Sequence, residues 1–143
     1  MTDDLFTPTV RTPSAPAKPP WRPDSIVYPA FFGGPLAATV LGLLNGRRLS
    51  LTRTHLMLIA VAGIAAIAAR VVFVATTGGN SLGRLSGAVA GLLVWLVVNA
   101  LQRRPFRAFL QNNGEPASLV WPGVLAAIGC GLAEAALIFG VIL

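Results

Sequence analysis

The sequence predicts an all-α membrane protein: four transmembrane helices in a compact bundle, preceded by a Pro-rich flexible tail. Three observations predict it. Apolar stretches run over Ile26–Leu44, His55–Thr77, Leu82–Leu101 and Ser118–Leu143, each near the ~20 residues a helix needs to cross hydrocarbon. Hydrophobic residues make up 55% of the chain and charged residues 11%, against about 25% charged in a soluble domain. The short loops between the stretches carry most of the arginines, as expected where positive charge sets topology.

The tail, residues 1–25, opens with Asp3 and Asp4 and holds Pro8, Pro13, Pro16, Pro19, Pro20 and Pro23. Proline at this density resists helix and sheet and favours an extended spacer. A cleaved signal peptide has a basic start followed at once by an apolar core, and the tail lacks that pattern.

The transmembrane domain, residues 26–143, divides into spans of about 26–45, 55–77, 82–103 and 118–143. Within the first, Gly33, Gly34 and Pro35 predict a helix break, because proline lacks an N–H and its ring clashes with the preceding turn. Asn45-Gly46 offers a helix end, and Thr52 or Thr54 can cap the second span. Gly78 to Ser81 reads as a tight turn, making spans two and three an antiparallel hairpin with Ser81 as a cap. Span three is expected to end near Arg103-Arg104, before Pro105. Phe106–Asn112 then reads as a short two-faced segment at the membrane surface. The last span is longer than the hydrocarbon core and should tilt, with Trp121 at interface depth.

Orientation follows from Lys and Arg. Arg47, Arg48, Arg53, Arg103, Arg104 and Arg107 lie in the first and third loops; Arg11, Lys18, Arg22 and Arg84 lie on the other side of a four-span bundle. The bias places the first and third loops in the cytoplasm and both termini outside. A re-entrant first segment, folded at Gly33-Gly34-Pro35, would instead bring the tail to the side of the first loop. Lys18 is the one lysine among 11 basic residues. That bias suggests GC-rich coding, a bacterial source and hence a bacterial plasma membrane.

Burying Leu against another helix gains little in lipid, so small residues four apart must carry the packing. Span one offers Gly34, Ala38 and Gly42; span two Ala62 and Ala66; span three Gly83, Gly87 and Gly91; span four Gly123, Ala127, Gly131 and Ala135. Such stripes serve packing within one chain or, if they face outward, dimerisation.

Arg70 and Glu134 are the ionisable residues well inside apolar spans, where a charge costs roughly 2.5–3.5 kcal/mol. Spans two and four run parallel, and the two residues fall at similar distances from the span starts. An interhelical ion pair would offset much of the desolvation. Arg70 snorkelling to the turn, a protonated Glu134, or pairing through Arg84 or the terminal carboxylate are the alternatives. Asn45 and Asn99 read as helix-end polar groups. Cys130 reads as a small hydrophobe. His55 has no second His, Cys or carboxylate spaced for a metal, so no metal or cofactor is expected.

The run Phe31 to Ala37, Phe-Phe-Gly-Gly-Pro-Leu-Ala, followed by Asn45 and basic residues, resembles the first span of small uncharacterised bacterial multi-span membrane proteins. The resemblance covers about 20 residues and implies a membrane fold without assigning an activity. In size the chain is similar to four-helix small multidrug transporters, but those carry an essential Glu in the first span, absent here.

A non-enzymatic structural or accessory subunit is the leading expectation. The rival is a small transporter or proton-linked permease using Arg70 and Glu134. One His and no paired carboxylates leave nothing to serve as acid and base, so no enzyme is expected. The scattered basic clusters cannot build a groove-reading surface, so no nucleic acid is expected. The lipid bilayer is the obligatory partner, with a homo-oligomer or a membrane-protein partner as the further possibility.

Overall fold

The computed structural model describes residues 18–78 and 80–143. Four helices long and apolar enough to cross a membrane account for most of them, with no strand among the described residues. They are α1 (Val27–Arg48), α2 (Arg53–Thr77), α3 (Ser81–Gln111) and α4 (Val120–Ile142). A short 3-10 turn, Pro23–Ile26, leads into α1. The chain is a multi-pass membrane protein with an all-α fold.

Three of the helices run through, but α1 folds back on itself. At Gly34 the backbone leaves the helical region, with φ 71° and ψ −166°. The contacts on either side show the reversal. The Pro23 carbonyl accepts from Trp95 Nε1 at 3.0 Å, while Gly42 packs against Val98. Trp95 and Val98 are one turn apart on α3. A straight helix would separate Pro23 from Gly42 by about 28 Å. Pro23–Gly33 therefore descends from the end of the molecule that holds the first and third loops. Pro35–Arg48 returns to that same end. The element is a re-entrant helical hairpin of two half-helices with its tip at mid-depth.

This settles between the two expected topologies. The described N-terminal end lies beside the first and third loops, so the expectation of both termini on the opposite side is corrected. Leu143 alone lies at the far end with the α2–α3 turn. The physical reason is local. Gly34 occupies a backbone region open essentially to glycine alone, and Pro35 starts the second half-helix at the position where its missing N–H is harmless.

The hairpin is the interior element. Some 61% of its apolar window is buried, against 17%, 28% and 6% for α2, α3 and α4. The core gathers Ile26, Ala30, Ala38 and Leu41 of the hairpin with Ile59, Val94, Val98, Leu119 and Trp21. Lipid-facing Leu, Ile, Val and Phe cover the outer faces, as expected where hydrocarbon is the solvent.

Residues 18–25 of the expected tail pack onto the bundle, and residues 1–17 lie outside the described residues. Trp21 is 4% exposed. Arg48 stacks over its ring at 3.8 Å and donates to the Pro19 carbonyl at 2.9 Å. Ala117 N–H donates to the Pro20 carbonyl at 3.0 Å, tying the chain to the third loop. Burial of one large aromatic ring fastens this still-extended, proline-rich segment to the bundle.

Helix ends differ from expectation in three places. The first helix passes Asn45-Gly46 and ends at Arg48, where Leu49 N–H bonds the Asn45 carbonyl at 2.9 Å. Asn80, rather than Ser81, occupies the N-cap of α3. Most of all, α3 continues through Pro105 to Gln111. Phe106 is buried and stacks with Phe109 at 6.3 Å, so Phe106–Gln111 extends the helix instead of lying on the membrane surface. Pro105 frees the Leu101 carbonyl, one turn back, and the exposed Arg103 and Arg104 put that turn where headgroup water can reach it. Thr52 caps α2 as expected, accepting from His55 N–H, and Gly78 closes it in the left-handed region.

Candidate functional site

The hairpin tip sits between α2, α3 and α4 and collects the residues singled out by charge. Gly33, Gly34 and Pro35 make the break. Pro35 offers no N–H, so Leu36 carries the first donor of the second half-helix. It donates to Glu134 Oε1 at 2.6 Å. A carboxylate from α4 thus caps a helix to which it does not belong, at the end where the dipole favours negative charge. Glu134 is 4% exposed. Its other oxygen, Oε2, pairs with Arg70 Nη1 from α2. The expected ion pair forms, and it also serves the broken backbone. Thr39 Oγ1 donates back to the Pro35 carbonyl at 2.6 Å, which tightens the first turn of the returning half.

Glycines clear the space. A Cβ on Gly34 would meet Glu134 Oε2 at 2.6 Å, so the carboxylate needs that hydrogen-only position. A Cβ on Gly87 would meet Arg70 Cζ at 2.6 Å, and one on Gly91 would run into the Ala30 carbonyl. The α3 glycines therefore seat the guanidinium and the hairpin, and their stripe is turned into the chain. Gly42 seats against Val98, while Gly83, Gly123 and Gly131 lie at ordinary contact beside Val74, Pro29 and Gly33. Two expectations shift here. On α2 the buried small residue is Gly63, pressed against Thr39, with Ala62 and Ala66 half-buried beside it. On α4 the stripe turns out to lipid at Ala135, which is exposed; Glu134 takes the inward position.

A cavity of about 90 Å³ borders the tip, lined by Phe31, Phe32, Gly33, Gly34, Arg70, Arg84, Gly87, Ala88, Gly131 and Glu134. Arg70 Nε is buried without a hydrogen-bond partner. Arg84 is exposed, on the first turn of α3. Two cations and one carboxylate thus border a small, partly open polar space beside the hairpin tip.

The root of the hairpin holds a second buried polar cluster that sequence reasoning did not assemble. Asn45 does not cap a helix end with its side chain. Its Oδ1 accepts from Trp21 N–H at 2.7 Å, and its Nδ2 donates to the Trp21 carbonyl at 3.0 Å and to Gln102 Oε1 at 2.7 Å. Gln102 Nε2 donates to the Gly42 carbonyl at 2.6 Å. The available signal was an Asn and a Gln in apolar spans beside a lone tail Trp. Asn99 is half-buried with its Oδ1 unpartnered. Cys130 is a half-buried free thiol. No family model, curated protein or solved structure matches this chain.

Proposed function

We propose that this protein is a non-enzymatic integral membrane protein that passes a small polar or charged solute, with the hairpin tip as its solute-facing element. One observation carries the reading: two half-helix ends and the Arg70–Glu134 pair meet at mid-depth beside a polar cavity. Broken helices at the bilayer midplane supply exposed backbone groups where transporters bind solutes, and irregular backbone at that depth belongs where it borders protein or a watery space. The paired charges supply a group that can exchange a proton or a counter-ion.

A structural or accessory role is the second reading. It is favoured by the full engagement of Glu134, whose two oxygens serve Leu36 and Arg70. Glu134→Gln separates the two, since the amide oxygen can still accept from Leu36. Purified protein in vesicles, loaded with a pH dye or an ion reporter, should conduct. Leaving Arg70 unpaired should itself lower the melting temperature, so flux is read per folded molecule. Lost flux from protein that still folds supports passage, and lost folding with no wild-type flux supports the structural role.

Orientation follows the same reasoning. With the first segment re-entrant, Lys18 and Arg22 join Arg47, Arg48, Arg53, Arg103, Arg104 and Arg107 at one end, against Arg84 at the other. That end faces the cytoplasm of a bacterial cell, in the plasma membrane. The sparsely buried α4 leaves room for a second copy or a membrane partner. Compartment-sensitive reporters fused to the two ends should report opposite sides.

A further inference from the structure

A larger cavity than the one at the tip lies away from it. A groove of about 520 Å³ runs between the descending half-helix and α4. Its walls are two facing stripes. One reads Arg22, Ser25, Tyr28, Pro29 and Phe32; the other reads Ser118, Val120, Gly123, Val124 and Ala127. Both stripes follow helical spacing. Polarity grades along them, from a guanidinium and two hydroxyls at the root to a phenyl ring and a methyl group at mid-depth.

We propose that this groove holds one anionic phospholipid of the surrounding bilayer. Its phosphate lies at Arg22, Ser25 and Ser118, and an acyl chain lies against Gly123, Val124 and Phe32. Three magnitudes select this occupant. The walls extend ten residues from Arg22 to Phe32, about 15 Å, which is one leaflet of a ~30 Å core. A volume of about 520 Å³ spread over that length makes a slender groove, of the shape an acyl chain fills. Charge completes the match. Arg22 is the charged residue lining the groove, and Lys18, Arg48, Arg103 and Arg104 add positive potential at the same end. Asp24 and Glu115 also lie at that end but do not line the walls. An anionic headgroup gains about 1 kcal/mol per nearby basic residue, whereas a zwitterionic one gains far less.

The test is independent of solute passage. Full-length protein is equilibrated with vesicles of equal phosphatidylglycerol and phosphatidylcholine bearing the same chains. It is then extracted in mild detergent, and bound lipid is counted by native mass spectrometry. One phosphatidylglycerol should remain per chain. Arg22→Gln, at an exposed position, should cut that preference about fivefold, with melting in phosphatidylcholine unchanged; Arg104→Gln, which does not line the groove, should lower it by clearly less. Val124→Trp should fill the groove and lower retention of both lipids. Equal retention of the two lipids by the wild type overturns the proposal. So does an Arg22→Gln protein with undiminished preference, undiminished retention by Val124→Trp, or a lipid-free dimer closed over this face.

Discussion

The root and the tip of the hairpin solve one problem with different chemistry. Each must hold an irregular stretch of backbone inside an apolar bundle. The root does so with neutral groups. Asn45 and Gln102, both fully buried, satisfy each other, Trp21 and the Gly42 carbonyl. Net contributions of about 0.5–1.5 kcal/mol per hydrogen bond suffice there. The tip uses Arg70 and Glu134, at an insertion cost of roughly 2.5–3.5 kcal/mol for each charge. The root shows that neutral amides can hold this backbone. On the proposed reading, the extra cost of charges at the tip is what solute passage would use.

The comparison can be broken first at the tip. Arg70→Leu leaves Glu134 buried and uncompensated, and should cost about 3–5 kcal/mol in melting experiments. Adding Glu134→Gln should recover much of that loss, because the amide still accepts from Leu36 without carrying charge. The reversed pair, Arg70→Glu with Glu134→Arg, should not recover it. An arginine at 134 has no acceptor for the Leu36 N–H, so full rescue by the swap would remove Leu36 from the account. Gly91→Leu comes next. Its side chain would displace the Ala30 carbonyl, and a loss of about 1–3 kcal/mol or more is expected, with the hairpin becoming accessible to proteolysis.

At the root, Asn45→Leu strands the Trp21 N–H, the Trp21 carbonyl and the Gln102 side-chain oxygen. Stability should fall by about 2 kcal/mol, while flux per folded molecule should persist. A flux defect of the same size as that of Glu134→Gln would erase the distinction between the two ends. The smallest effect is expected for Arg48→Gln, about 0.5–1 kcal/mol from the lost stacking on Trp21. Tryptophan fluorescence during denaturation would report it.

Much of this fold is legible in composition and spacing, since hydrocarbon imposes long apolar helices. Arg70 and Glu134 stand out because an unpaired charge there is costly, and parallel spans put them at matching depth. Gly34-Pro35 announces a break, but the angle of that break is tertiary. Whether the chain kinks or reverses depends on Gly91 admitting the Ala30 carbonyl and on Glu134 reaching Leu36, more than 50 and nearly 100 residues away. Trp21 was hidden among prolines whose local preference says extended. Pro105 misled in the opposite direction, because the packing of Phe106 kept the helix running past it.

The re-entrant element also constrains how the protein is made. Pro23–Arg48 is synthesised before the helices that receive it. Its tip is completed by Gly91 and then Glu134, near the end of the chain. A half-depth hairpin with open backbone groups cannot rest alone in lipid. Its backbone groups at the tip are therefore satisfied only once α3 and α4 are in place around it.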